Sequence, residues 1–257
     1  MDATRDVTYR STNPLRPQLL VSVQSVSEAQ LAMSAGVSWI DLKNPAIGAL
    51  GSPTAEVAGK VAALLHQWPS RSVAAGELVE ADRARWRSLA RLFPVIKLGL
   101  QHTIDTPWPE TLDEACRLVA DAGATLVPAA YADCERCAAP TWEEVLRYCI
   151  HRALPYLLID TAIKDGGSLL DWLSYAELQE LTRRATLAGI GVVLAGNLSL
   201  ESLPRLATLP VMALGVRGAA CQGARSGNID AEKLRKLVAV LDAQPLPAGA
   251  NPLEREA

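Results

Sequence analysis

Short apolar runs alternate with longer amphipathic stretches along most of the chain. The apolar runs predict strands at 19–23, 39–43, 71–78, 95–100, 125–131, 156–160, 191–196 and 211–218. The amphipathic stretches predict helices near 27–35, 54–67, 80–92, 110–122, 142–153, 175–188, 199–207 and 230–242. A strand is thus followed by a helix eight times, which is typical of a parallel sheet.

Eight strand–helix units in a chain of 257 residues favour an α/β fold with one (β/α)8 TIM barrel. The glycines at Gly36, Gly123 and Gly189 come just before predicted strands and mark helix ends. A doubly wound open sheet is the alternative, but no G-x-G-x-x-G motif follows the first strand.

The two ends of the chain depart from this pattern. Residues 1–17 are polar and irregular, and residues 244–257 are rich in Pro, Gly and Ala. We therefore expect a polar N-terminal extension, one catalytic barrel over 18–243 and a flexible C-terminal tail.

Composition narrows the classes of function. The formal net charge is −3, which provides no basic surface for nucleic acid. No apolar run reaches the roughly 20 residues that cross a bilayer, and the first residues lack the apolar core of a signal peptide. The five cysteines are scattered through a chain too long to need disulfides. We expect a cytoplasmic protein without a nucleic-acid or membrane partner.

Lysine is scarce, and its placement is informative. Only six of the 25 basic residues are lysines, so the chain mostly uses arginine for surface charge. Lysine can lose its proton when desolvated and then acts as a nucleophile, which arginine cannot do. Lys43, Lys97 and Lys164 fall at predicted strand ends or in the loops that follow, where barrel enzymes place their catalytic groups.

Carboxylates accompany these lysines. Asp41 is two residues before Lys43 and shares its face of the strand, and Asp160 is four residues before Lys164. A single lysine–aspartate pair inside a barrel can be purely structural. Three lysines and two carboxylates on one rim favour chemistry on carbonyl groups, in which one amine forms a Schiff base and another transfers protons.

The loops after predicted strands 7 and 8 resemble phosphate-binding loops of such barrels. They contain Gly196 and Asn197 in the first loop and Arg217, Gly218 and Arg225 in the second. Both arginines can donate hydrogen bonds to phosphate oxygens. The glycines are also compatible with turn formation alone.

The sequence "CERC" has the spacing of a metal or redox site at Cys134 and Cys137. The other three cysteines do not form a second pair at that spacing. We therefore expect neither a metal nor a cofactor.

Six segments are long enough to suggest a family: IDLKNPAIGALGSP (40–53), VIKLGL (95–100), VPAAYAD (127–133), LLIDTAIKDGGSLLDWLS (157–174), LAGNL (194–198) and GVRGAAC (215–221). They resemble the (5-formylfuran-3-yl)methyl phosphate synthase family, over roughly residues 18–243. The segment around Glu77 (74–83) looks less typical of that family, so no role is transferred to this carboxylate.

The resemblance implies a TIM-barrel lyase that condenses two molecules of glyceraldehyde 3-phosphate into 4-(hydroxymethyl)-2-furancarboxaldehyde phosphate. One phosphate and two waters leave, and the product serves methanofuran- or methylofuran-type cofactor biosynthesis in one-carbon metabolism. The resemblance further implies Lys43 as the Schiff-base lysine and Lys97 as the proton acceptor, with Asp41, Asp160 and Lys164 at other active-site positions. The expected partners are a triose phosphate and, in a homo-oligomer, further copies of the chain.

Two other functions remain open at this point. One is a different lysine-dependent class I aldolase acting on triose phosphates, which would retain both phosphates in its product. The other is a non-catalytic barrel that binds a phosphorylated metabolite or a partner protein, although three lysines at the strand ends argue against it.

Overall fold

The computed structural model describes residues 16–244, which form a closed barrel of eight parallel strands in sequential order. The predicted (β/α)8 fold is confirmed. The predicted N-terminal extension (1–17) and C-terminal tail (244–257) lie outside the described residues, except for residues 16, 17 and 244.

The strands are β1 Gln18–Val23, β2 Trp39–Leu42, β3 Ser70–Glu77, β4 Val95–Gly99, β5 Thr125–Tyr131, β6 Tyr156–Asp160, β7 Gly191–Leu194 and β8 Ala213–Val216. The helices are α1 Val26–Ser34, α2 Ala55–Leu64, α3 Arg83–Ala90, α4 Trp108–Asp121, α5 Trp142–His151, α6 Leu169–Trp172, α7 Tyr175–Leu187, α8 Leu203–Leu206 and α9 Ala231–Asp242. No helix between residues 16 and 244 is long and apolar enough to cross a membrane.

The main differences from the prediction are two short helices. The predicted helix at 199–207 shrinks to the four residues of α8, with Pro204 in its first turn, where a missing N–H does not matter. The other short helix, α6, was not predicted because four residues are too few to show helical periodicity. It lies within the loop between β6 and α7.

Local signals explain where most helices begin and end. Side chains that accept a backbone N–H begin α1, α2, α5 and α7: Ser25, Thr54, Thr141 and Ser174. After α1, α4 and α7 the chain turns at Gly36, Gly123 and Gly189, whose φ angles are +77°, +87° and +73°. Glycine adopts this left-handed conformation without steric penalty, so the predicted glycine stops are confirmed.

Side chains along each strand point alternately to the outside and the inside of the barrel, and this alternation separates two apolar layers. The outward residues join the helices in one large core, exemplified by Ile40 and Leu98. The inward residues fill the barrel below the C-terminal rim: Leu20, Trp39, Ala74, Val95, Val127, Ala129, Tyr156, Leu158, Val193 and Ala213. Nearer the rim, the next inward residues after Val193 and Ala213 are Ala195 and Gly215, which line a pocket. Small residues here leave space at the barrel mouth.

A buried ion pair connects the last strand to the first helix. Arg217 follows β8, and its Nη1 lies 2.9 Å from Oε2 of Glu28 in α1. Their side chains are only 3% and 5% exposed, and Glu28 also accepts a hydrogen bond from the backbone N–H of Gln24. The pair therefore fixes the seam at which β8 meets β1 and α1.

Glu28→Gln should lower the free energy of unfolding by about 3–5 kcal/mol, because it leaves the buried guanidinium without its countercharge. Urea denaturation measures this change. Glu180→Gln is the matched control, since it breaks an exposed pair with Arg183 and should leave the urea midpoint nearly unchanged. Equal midpoints for the two variants would show that the Arg217–Glu28 pair does not stabilise the barrel seam.

Candidate active site

The barrel brings the three strand-end lysines into one pocket at its C-terminal mouth. Lys43 comes directly after β2, Lys97 lies within β4, and Lys164 lies in the loop after β6. Lys43 and Lys97 are 7% and 5% exposed, as expected for inward-pointing residues. The pocket has an empty volume of about 530 Å³, part of which is open to solvent.

Asp41 lies beneath the pocket and binds Lys97. Its Oδ2 is 2.5 Å from Lys97 Nζ, and the carboxylate is fully buried. The hydroxyls of Ser22 and Ser72 also donate to it, over 3.0 and 2.6 Å, and the indole N–H of Trp39 donates to Ser72. Both carboxylate oxygens of Asp41 therefore have donors. The two serines were not among the residues predicted from the sequence, although each is a polar residue at an inward strand position.

Asp160, at the end of β6, binds Lys164. Its Oδ1 accepts hydrogen bonds from Lys164 Nζ at 2.7 Å and from the backbone N–H of Thr161 at 2.8 Å. Lys164 Nζ also donates to the Thr161 hydroxyl. Burial opposes ionisation of Asp160, but the positive charges of Lys164 and Lys43 outweigh it and lower the pKa of this carboxyl. The carboxylate therefore remains ionised beside two amines.

Lys43 differs from the other two lysines. Within residues 16–244, it is the pocket lysine that has no carboxylate within 4.0 Å. Burial lowers the pKa of Lys43 from 10.5 to about 7; Asp160 opposes this shift, and the charges of Lys164 and Lys97 add to it. At pH 7 roughly half of the Lys43 amines are then neutral, against roughly 0.04% for an ordinary lysine. A neutral amine is the form that attacks a carbonyl carbon.

The loops after β7 and β8 form the opposite side of the pocket. Gly196, Asn197 and Gly218 all line it together with the lysines. Gly196 has a φ of +107°, and a side chain there would meet Thr161. The Asn197 amide donates to the carbonyl of Gly166, so it connects the β7 loop to the loop that carries Lys164.

The two arginines of the β8 loop have different surroundings. A guanidinium has five N–H donors, and all five of Arg217 have protein acceptors. These acceptors are both carboxylate oxygens of Glu28 and the carbonyls of Ser22, Arg225 and Gly227. Arg217 therefore lines the pocket without a free side-chain donor. The guanidinium of Arg225 makes one hydrogen bond among the described residues, to the carbonyl of Gly48 at 3.3 Å.

Glu77 forms a separate cluster at the rim of β3, β4 and β5. It accepts hydrogen bonds from the Tyr131 hydroxyl at 2.7 Å and from the backbone and side chain of Gln101 at 3.0 Å. A Cβ at Gly99 would lie within 2.2 Å of both the carboxylate and the hydroxyl, so only glycine fits beside this pair. Burial raises the pKa of Glu77. None of the hydrogen bonds or ion pairs of Glu77 in the described structure involves a lysine.

The "CERC" segment forms a 3-10 turn after β5, with Cys134 half-buried and Cys137 buried. Burial raises the pKa of both thiols, to about 12 for Cys137. Between residues 16 and 244 no three His, Cys, Asp or Glu side chains cluster as metal ligands would.

The family model of 4-HFC-P synthase matches residues 19–238 of this chain. The chain belongs to the 4-HFC-P synthase family. Two similar proteins named (5-formylfuran-3-yl)methyl phosphate synthase come from Methanopyrus kandleri and Methanothermobacter thermautotrophicus. The first is 32% identical and aligns over 88% of this chain and all of its own length. The second is 30% identical over 88% of this chain and 99% of its own length.

Solved structures of other proteins share the fold of this member of the 4-HFC-P synthase family. KGPDC from Streptococcus mutans in complex with D-R5P has a TM-score of 0.59 at 14% identity, over 88% of this chain and 97% of its own. Triosephosphate isomerase from Bartonella henselae has a TM-score of 0.56 at 9% identity, over 88% of this chain and 98% of its own. At such identities the likeness supports the barrel fold alone.

The lowered pKa of Lys43 predicts a distinctive pH profile for imine formation. With glycolaldehyde and cyanoborohydride, labelling of Lys43 should rise up to about pH 7 and then level off, because the reactive neutral form is by then abundant. Nα-acetyl-lysine in the same tube should continue to rise through this range. Mass spectrometry of the Lys43 peptide measures the label. Parallel profiles for Lys43 and the free amino acid would contradict an activated amine.

Proposed function

We propose that this chain condenses two molecules of glyceraldehyde 3-phosphate into 4-(hydroxymethyl)-2-furancarboxaldehyde phosphate, through a Schiff base on Lys43. The product would serve methanofuran- or methylofuran-type cofactor biosynthesis. The observation that carries the proposal is the buried Lys43 amine, whose pKa is lowered to about 7 and which has no carboxylate within 4.0 Å among residues 16–244. Membership of the 4-HFC-P synthase family supports the substrate and the product.

The first half of the reaction activates one triose phosphate. Lys43 adds to its aldehyde carbon and, after loss of water, forms an imine that acidifies the hydrogen on C2. Lys97 removes that proton, and Asp41, whose Oδ2 lies 2.5 Å from Nζ, stabilises the ammonium that results. The electron pair moves into C1=C2 and then forms C2=C3 as the C3–O bond to phosphate breaks. Inorganic phosphate leaves, and a nucleophilic enol remains attached to Lys43.

The second half joins the two trioses. The second glyceraldehyde 3-phosphate first isomerises to its ketone form by moving a proton from C2 to C1, because the ring carbon that forms the new bond carries the CH2–O–phosphate group in the product. The enol carbon C3 then attacks the C2 ketone carbon of this second triose phosphate and forms the new C–C bond. Ring closure, loss of two waters and hydrolysis of the imine release the furan aldehyde, so that one phosphate and two waters leave in total. Lys164, with Asp160 2.7 Å away, donates and accepts the protons of these steps. Two amine–carboxylate pairs near Lys43 thus provide separate proton carriers.

Arg225 is the side chain best suited to hold the phosphate that is retained. It lines the pocket, and its guanidinium makes a single long hydrogen bond between residues 16 and 244. Gly218 adjoins this side chain, since a Cβ there would be in van der Waals contact with Arg225 at 3.8 Å and with Asn197 at 3.6 Å. Arg217, whose donors are all occupied, would instead hold the loop in place.

Incubation of the purified protein with glyceraldehyde 3-phosphate alone should release a furan aldehyde and inorganic phosphate in equal amounts. Ultraviolet absorbance and a phosphate assay follow the two products. Lys43→Arg should reduce furan formation at least about a thousandfold, because arginine cannot form the imine and loss of a nucleophile is at least this costly in characterised enzymes. Lys60→Arg, at an exposed lysine, is the matched control.

The other outcomes identify the alternatives. A product that retains both phosphates would indicate a class I aldolase. If phosphate is released no faster than in a blank without enzyme and no furan forms, the remaining alternative is a non-catalytic barrel that binds a phosphorylated metabolite. Full furan formation by Lys43→Arg would remove Lys43 from the proposed role.

Arg225→Gln should raise the KM for glyceraldehyde 3-phosphate at least about tenfold, since a hydrogen bond to a charged group contributes roughly 1.5–3 kcal/mol. Imine trapping at Lys43 by unphosphorylated glycolaldehyde should be unaffected, because that aldehyde carries no phosphate. Arg183→Gln, on the exposed face of α7, is the control. An unchanged KM in Arg225→Gln would mean that backbone groups alone hold the phosphate.

A further inference from the structure

Asp133 is a buried carboxylate outside the lysine cluster. It lies in the loop after β5, is 1% exposed, and is the residue that precedes the 3-10 turn Cys134–Cys137. Its two oxygens accept backbone N–H groups of the neighbouring loop, Ala162 at 2.6 Å and Ile163 at 2.9 Å. These are the two residues immediately before Lys164. One carboxylate therefore fixes the chain between the end of β6 and Lys164.

A second contact from the same β5 loop holds the chain on the other side of Lys164. The guanidinium of Arg136 lies 2.5 Å from the carboxylate of Asp165. It also lies over the ring of Trp172 in α6, 5.2 Å from its centroid. The glycines that follow, Gly166 and Gly167, have no side chains to anchor the segment.

Lys164 is thus held from both sides by the β5 loop. Asp133 fixes the two residues before it, and Arg136 fixes the residue after it. The side chain of Lys164 can then keep its Nζ within hydrogen-bond distance of Asp160 and Thr161, as the structure has it. A lysine in a glycine-flanked loop without these contacts would have many rotamers available in solvent.

We propose that Asp133 and Arg136 are positioning residues that act through Lys164, holding its ammonium beside Asp160. The "CERC" segment is part of this arrangement, because its turn separates Arg136 from Asp133. The two side chains can then contact residues that precede and follow Lys164 in the β6 loop. The consequence for catalysis rests on the proposed function, since it requires Lys164 to carry protons in the furan-forming steps.

The structure offers a matched control for each variant. Arg136→Met removes the outer contact, and Arg152→Met removes a similar half-exposed arginine that pairs with Asp113 and lies over an aromatic ring. Asp133→Asn removes one acceptor oxygen and places an amide N–H against a backbone N–H. Asp82→Asn is its control. Asp82 also accepts a backbone N–H, that of Arg85 at the start of α3, but touches no lysine of the site in the described structure.

The first measurement is independent of any substrate. Acetylation of Lys164 by a small amine reagent, followed by mass spectrometry, reports how firmly Nζ is held. Arg136→Met and Asp133→Asn should each speed up acetylation of Lys164 at least threefold, because a released ammonium is more accessible. Arg152→Met and Asp82→Asn should leave the rate at the wild-type value. Unchanged rates in Arg136→Met, whose exposed site tolerates substitution, would overturn the positioning role.

The second measurement follows catalysis. Both variants should lower kcat for furan formation at least tenfold, while KM and imine trapping at Lys43 remain within twofold of wild type. A purely structural role would lower trapping at Lys43 along with kcat and would contradict the proposal. If wild-type protein makes no furan but acetylation responds as expected, the positioning role stands and the proposed function fails.

Discussion

The site depends on enclosing five ionisable groups at one end of an apolar barrel. Three lysines and two aspartates lie within this mouth, and removing such charges from water is costly unless they are paired. Lys97 pairs with Asp41, and Lys164 pairs with Asp160, which leaves Lys43 without a carboxylate partner in the part of the chain that the structure describes. If Lys43 is neutral, two positive charges balance two negative ones. Burial and the two neighbouring ammonium groups thus make the neutral form of Lys43 accessible near pH 7.

Other polar groups around the mouth stabilise the barrel and its loops, and so hold the lysines and aspartates in place. Arg217 and Glu28 join the last strand to the first helix, so a residue that lines the pocket serves the scaffold. A separate small cluster of buried residues contains Ala49, Tyr131, Cys137, Ala139 and Ala162. The pocket is lined by other residues, among them Lys164 of the β6 loop and residues of the loops after β7 and β8. The β6 loop, which carries Lys164, is held by its neighbours on both sides through Asp133 and Asn197.

Much of the fold followed from patterns that lie close together in sequence. Short apolar runs and the strand–helix order, each repeated eight times, together with glycines at three helix ends, were sufficient to predict the barrel, because each of these signals reports a local preference. The same rules placed Lys43, Lys97 and Lys164 near one rim. They did not reveal α6, and they overextended the helix that became α8, since both segments are too short for periodicity to distinguish a helix from a turn.

The sequence by itself determined the fold class, the end of the barrel where the polar groups gather, and the family, which the long motifs around Lys43 and Lys164 already indicated. Only the tertiary structure decided which partner each of those polar groups binds. In the folded chain Arg217 binds Glu28, and Asp133 binds the loop before Lys164. The hydroxyls of Ser22 and Ser72 donate to Asp41. These partners lie between 19 and 189 positions apart in the chain. The Arg217–Glu28 pair depends on closure of the barrel, where β8 meets β1, and the other contacts depend on how neighbouring strands and loops pack. No local pattern of residues encodes either.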